Sequence, residues 1–415
     1  VHARGGTIAH RVRRPVAFHQ LGSPRRRTER AGPSLAADAS PSETDRRSGL
    51  AKDPLRTKIC EMLGIEFPII AFTNCKDVAV AVINAGGFAV LGEAMHTPDE
   101  ISADVKWIRD RVDGKPFGID LVVPASVPPA GALDELMEKI PDSHREFARQ
   151  IKEKYDVPDP KGPVALHQWG GLNQEMARAQ LEVLLDERVP VLASGLGSPV
   201  FILDAAHERG IKVFGLIGKT RQAKRQVEAG VDAIIAQGYD AAGHTGAMGT
   251  FSIVPEVVSI AGDTPIIAAG GVTTGRHLAA ALCLGAAGVW TGTLWLASRE
   301  SDVDMIVKEK ILAATADDTS FSNCISGMTM RTLKCPWTEE WAQPGAPEVL
   351  PPPYQMLLSS DYIQGANDSL RGDLMTEAAG QGVGFVTSMK PARQIVFDMV
   401  EEALDALEQL TGETE

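Results

Sequence analysis

Cysteine is scarce and unpaired in this 415-residue chain. There are five, Cys60, Cys75, Cys283, Cys324 and Cys335, an odd number with no CxxC spacing. That pattern excludes a disulfide framework, suggests no zinc site, and fits a reducing cytoplasm. No other His, Asp or Glu grouping has ligand spacing in the sequence, so no metal is expected. Long apolar runs are also missing: no stretch of ~18 apolar residues is available to cross a bilayer, and the N-terminal stretch has no secretory h-region, so no membrane partner is expected. No GxGxxG follows an early strand, which weakens an open dinucleotide-binding sheet. Aromatics make up only 5% of residues.

Charge is unevenly spread. Residues 1–52 hold eleven Arg/Lys against four Asp/Glu, so they carry +7 and the remaining residues −20 of the total −13. An acidic body argues against a nucleic-acid partner. The basic stretch, with "HRVRRP" and "SPRRRTERAGPS", has the look of a nucleic-acid arm or targeting peptide. It lacks an apolar period, and is read as a disordered basic extension.

What the chain does have is glycine, 40 residues, and a regular alternation of apolar runs with amphipathic stretches. Eight runs read as strands: 67–72, 88–92, 116–123, 189–197, 212–218, 231–238, 264–272 and 286–297. Most are followed by a helical stretch; "TPDEISADVKWIRDRV", for example, offers Thr97 as N-cap and Pro98 at the first helical position. Apolar strands of this kind form parallel sheets buried on both faces, and eight βα units closing on themselves make a (β/α)8 TIM barrel. A doubly wound open sheet is the alternative. The expected organisation is a barrel over 53–300 with an insertion at 124–188, then a smaller C-terminal helical cap over 301–415. The final stretch, "PARQIVFDMVEEALDALEQL", reads as a helix whose apolar stripe docks on the barrel exterior or on a second copy, so a homodimer is allowed.

In a barrel, the residues just after each strand converge on one face. "AAGGVTTG" follows the seventh strand, where Gly270 and Gly271 let backbone N–H groups approach an anion. "TGT" lies at the end of the eighth, with Gly292 and the Thr293 hydroxyl. Together these read as a phosphate site, helped by the following helix N-terminus. "AIIAQGYDAAGHTGAMG" carries His244 just beyond the sixth strand, with Gln237 closing that strand. Small residues there leave room for a planar ligand. A histidine with an ordinary pKa near ~6.5 can act there as base or cation.

The stretch "AQGYDAAGHTG…VPEVV…TPIIAAGGVTTGRHLAAALCLGAAGVWTGTLWL" resembles the nitronate monooxygenase family, and also the related type II flavin-dependent enoyl-acyl carrier protein reductases. The likeness covers roughly 55–400 and includes "RTLKCPWTEEW" and "AAGQGVG". It implies a TIM barrel with a helical cap and non-covalent FMN. On that basis His244 matches the family's catalytic histidine, and Gly270, Gly271, Gly292 and Thr293 its phosphate turns. Gln237 and Gly238 match the pair lying against the flavin, and Gln381 approaches the flavin edge. Phe72, Asp120 and Gly243 complete the implied cofactor site.

Two departures matter. The first strand reads "AFTNCKD" in place of the family's Pro-Met pair, and the strand-three Asn is Asp120, a carboxylate that only accepts where an amide also donates. The resemblance implies oxidation of small nitronates by O2 to a carbonyl compound and nitrite, with His244 as base or electrostatic stabiliser. The alternative is an NAD(P)H-dependent reductase of enoyl thioesters or quinones, favoured by the Gly-rich "VLASGLGSP". A ligand-binding module without activity is the third reading. His167, Gln168 and Trp169 are read as a packed loop, with a lid over the substrate as the alternative. Lys76 and Asp77 are expected to cap the first helix, and Trp290 and Trp295 to lie in the core of strand eight.

Overall fold

Side chains alternate faces along a strand, so parity decides what enters the barrel. The computed structural model of the protein describes residues 53–122, 133–162, 164, 174–195 and 197–411. Eight parallel strands close into a barrel: β1 (Ile69–Thr73), β2 (Phe88–Gly92), β3 (Gly118–Val122), β4 (Val191–Gly195), β5 (Lys212–Ile217), β6 (Ala233–Gln237), β8 (Ile266–Ala269) and β9 (Gly288–Thr291). Ala71 of β1 pairs with Thr291 of β9 and completes the ring. Ile70, Phe88, Val90, Val191, Phe214, Ile235 and Ile267 pack on one another inside it. Their neighbours Ile69, Ala89, Leu91, Leu192 and Ile234 belong to the larger core beneath the helices. The interior is therefore filled, as expected for an eight-stranded barrel.

The helices begin where local chemistry demands. Thr97 and Glu100 form a capping box at the start of the helix Pro98–Arg109, with Pro98 at its first position, as the sequence indicates. The expectation for Lys76 and Asp77 changes: Cys75 is the N-cap and makes no side-chain cap, while Lys76 reaches Asp104 at 2.5 Å. The eighth barrel strand is also shorter than expected. It ends at Thr291, and Thr293–Leu296 is one helical turn in which the Trp295 indole donates to the Thr291 carbonyl at 2.9 Å. Trp290 lies in the strand and Trp295 in this turn, and both are buried.

Three short antiparallel strands escaped the sequence reading. β7 (Gly243–His244) pairs with β11 (Met330–Leu333), which pairs with β10 (Thr319–Ser322). Two- and four-residue strands are too short to show an alternation. A third apolar core joins helix Asp142–Lys154 of the insertion to the C-terminal segment: Ile140, Ala148 and Ile151 pack with Trp337, Tyr362 and Leu374. The last helix, Ala392–Thr411, docks on the barrel exterior. Val396, Met399 and Ala403 are buried, and a Cβ at Gly275 would lie 2.2 Å from the Met399 carbonyl.

Candidate active site

The topmost interior positions of the strands open a cavity of about 380 Å³ at the C-terminal mouth of the barrel, within the size range of cofactor and ligand sites. Phe72, Asp120 and Gln237 share the interior parity of Ile70, Gly118 and Ile235, and all three line it. So do Gly243, His244, Gly270, Gly271, Gly292 and Thr293. Gly238 and Gln381 do not. A Cβ at Gly238 would strike Thr250 at 2.1 Å, so this glycine serves packing against the next helix. Gln381 donates its backbone N–H to the Asp240 carbonyl at 2.9 Å, and it is Gly382 that borders the cavity. His167, Gln168 and Trp169 lie outside the described residues.

His244 is held from several directions. Pairing with Met330 sets its backbone, and the Gln237 side-chain amide donates to its carbonyl at 2.9 Å. Its Nε2 lies 2.7 Å from Ser326 Oγ. The Ser326 hydroxyl donates to the Met328 carbonyl at 3.1 Å and also receives the Met328 N–H. Ser326 thus anchors the ring at Nε2, whose role as donor or acceptor follows the tautomer, and Nδ1 makes no hydrogen bond to the described residues. Burial without a nearby carboxylate pushes the imidazole below its ordinary value, toward the neutral base. Ser326 and Arg331 were not singled out from the sequence. Arg331 donates to the Tyr239 carbonyl at 3.0 Å and packs between the Tyr239 and Phe321 rings, bracing the segment that carries His244. Only the tertiary pairing of β7 with β11 brings these residues together.

Asp120 is nearly sealed, and burial pushes its carboxyl up to about 7, with the Gly195 amide as the sole opposing influence. It is thus part-protonated at neutral pH, and its protonated form donates as an amide does. Glu377, from the segment after the barrel, lines the same cavity. Its Oε1 accepts from the Ala378 N–H at 2.8 Å, and burial raises it as well.

The residues fit a phosphorylated, planar cofactor by three observations. Gly270 and Gly271 adopt positive φ (106° and 71°), which turns bare backbone toward the cavity. A Cβ at Gly292 would meet nothing nearer than the Phe72 carbonyl at 4.0 Å, so the glycine leaves space that the protein itself does not use. The Thr273 hydroxyl is buried without a partner on the cavity lining, and Thr293 Oγ1 accepts from the Gly380 N–H at 3.0 Å, which frees its proton to donate. The expected help from the following helix changes: the Gly275 N–H donates to Glu402 of the last helix at 2.8 Å. Glu402 therefore already satisfies that amide.

Outside the cavity, Glu93, His96 and Asp104 bring three donor atoms within 4.8 Å of one another. The Glu93 carboxyl is fully buried and pushed up to about 7, and it meets His96 Nδ1 at 2.5 Å. Lys76 supplies the cation on Asp104, so the group is already internally paired.

The profile of the nitronate monooxygenase family matches residues 56–402. A putative monooxygenase of Mycobacterium tuberculosis is 40% identical over 371 residues, which covers 86% of this chain and 99% of that protein. A probable nitronate monooxygenase of Staphylococcus aureus is 25% identical, over 84% of this chain and 97% of its own length. Among solved structures, FabK from Thermotoga maritima is 28% identical with a TM-score of 0.67, covering 86% of this chain and 99% of that one. The nitroalkane oxidase of Streptomyces ansochromogenes is 26% identical with a TM-score of 0.69, covering 85% and 99%. With its barrel, its cavity and this match across most of its length, the chain belongs to the nitronate monooxygenase family and is a flavin-dependent oxidoreductase.

Proposed function

We propose that the protein binds FMN in the mouth cavity and oxidises small nitroalkanes or their nitronates with O2, releasing a carbonyl compound and nitrite. The observation that carries this reading is the juxtaposition, in one cavity, of the buried His244 imidazole with the glycine and threonine cradle after β8 and β9. When bound, the flavin supplies the electron transfer between substrate and O2, chemistry that no side chain of the chain provides. Gly270, Gly271, Gly292, Thr273 and Thr293 hold the phosphate end. His244 Nδ1 takes the α-proton of a nitroalkane, and Ser326 anchors the ring at Nε2. Protonated, the same ring offsets the charge of a nitronate. Phe72 stacked on Trp290 (5.6 Å between centroids) gives the cavity a flat apolar wall.

Gly195 on the lining and the likeness to FabK favour a second reading, reduction of an unsaturated substrate by NAD(P)H at the same flavin site. One experiment separates them. The purified yellow protein is assayed for nitrite from nitroethane and ethylnitronate in air, and separately for bleaching by NADH or NADPH without oxygen. Nitrite without nicotinamide supports the oxidase reading. Bleaching with no nitrite moves the function to the reductase.

A further inference from the structure

The cavity is lined by three carboxyl side chains and by no lysine or arginine among the described residues. Asp120 comes from the barrel wall; Asp302 and Glu377 come from the segment after the barrel. The internal stretches outside the described residues, 123–132, 163, 165–173 and 196, contain no lysine or arginine in their sequence either. Among the described residues His244 is the one basic side chain on the lining, and in the proposed reaction it serves the nitro group. A second charged group of a substrate in this cavity therefore has carboxyls as its charged neighbours among the described residues.

From this arrangement we infer that the site selects nitronates with a neutral or ammonium-bearing tail and rejects those with a carboxylate tail, with Glu377 and Asp302 as the residues that decide. The inference rests on the proposed oxidation and names its substrate class. The ionised carboxyls carry the argument. An ionised Glu377 or Asp302 repels a second carboxylate directly. A protonated Glu377 donates one hydrogen bond to that carboxylate but brings no charge to offset it, so the discrimination narrows in that state. An ammonium tail reverses the repulsion, because it pairs with the carboxyl and draws it into the charged form.

Glu377 borders the cavity directly. Its side chain has no cationic partner among its influences, and its acceptor bond is to the N–H of its own neighbour. Its backbone carbonyl accepts from Leu333 of β11 at 2.9 Å, the strand that pairs with His244. Asp302 is exposed and borders the same cavity as Cys75, nearer the solvent.

The test uses the flavin-loaded protein and two readouts. The first is the ratio of kcat/KM, from nitrite release, for propyl-1-nitronate, 3-aminopropyl-1-nitronate and propionate 3-nitronate. The second is the dissociation constant of unreactive butylamine and butyrate, read from the perturbed flavin spectrum. The inference expects propionate 3-nitronate to be at least about tenfold poorer than propyl-1-nitronate, and butyrate at least about tenfold weaker than butylamine. Glu377→Gln and, separately, Asp302→Asn should narrow both ratios. Wild-type protein that handles the carboxylate-tailed compounds as well as or better than the others overturns the inference, as does failure of both butyl compounds to perturb the flavin. If no nitronate yields nitrite while butylamine still outbinds butyrate, the oxidation reading falls and the acid-lined selectivity stands.

Discussion

At the scale of single residues, the protonation of His244 and Asp120 governs what the site can do. His244 is held neutral by burial, so proton removal from a nitroalkane should fail as pH falls through its lowered value, whereas a preformed nitronate needs no base. The kcat/KM for nitroethane should therefore hold through the ordinary imidazole range and fall only at lower pH, and that for ethylnitronate should not follow it. His244→Ala should cost about 10²–10⁴ in nitroethane kcat/KM with the flavin retained. Asp120 gives a stability prediction of opposite sign to an ordinary carboxylate. Its folded value near 7 lies above its unfolded value of 3.8. Its stabilising contribution is complete below that unfolded value and is lost as pH rises through 7. Asp120→Asn should then gain stability over wild type as pH increases, by at most about 4 kcal/mol at pH 8 and by only about 1 kcal/mol at pH 4.5. Urea melts of the apoprotein at the two pH values measure it.

At the scale of elements, the turn after β9 carries the cleanest test of cofactor binding. Gly292 has negative φ (−128°) and open space where a Cβ would stand. Gly292→Ala should therefore leave the apoprotein melting within about 0.5 kcal/mol of wild type, since the added Cβ meets no protein atom nearer than 4.0 Å. It should nonetheless weaken flavin loading, because the side chain enters the cradle. Absorbance near 450 nm and thermal melting of the two proteins decide it. How the elements read in the sequence follows from their length. The Thr97 cap and the apolar β2 are local patterns and were legible, as was Gln237 at the end of its strand, whereas the shared interior parity of Phe72, Asp120 and Gln237 emerged with the barrel. The two-residue β7 and its partners were not, because a strand of that length has no period and exists only through its pairing.

At the scale of the whole molecule, cavity and cap depend on one another. Residues 301–303, 377, 378 and 382 line the cavity, and the segment that supplies them is anchored by the third core around the buried Trp337. Trp337→Ala should cost about 3–5 kcal/mol and lower flavin retention even though Trp337 touches no lining position. Differential scanning calorimetry with flavin content after gel filtration checks both. The acidic body, at −20 outside residues 1–52, matches the absence of lysine and arginine from the described lining. No helix among the described residues is long and apolar enough to cross a membrane.

The sequence by itself determined the barrel, and it pointed to nine of the residues that line its mouth. The barrel follows from the count of βα units, and His244, Gln237 and the glycine turns from short contiguous stretches; Phe72, Asp120 and Gly243 came from the family resemblance. The tertiary structure alone decided that Ser326 holds the His244 Nε2, that Glu377 joins Asp120 in one cavity, and that Glu402 takes the Gly275 amide at the helix N-terminus expected to serve the phosphate. Each of these depends on groups roughly 80 to 260 residues apart in the chain, and pairings over such separations leave no periodic trace in the sequence.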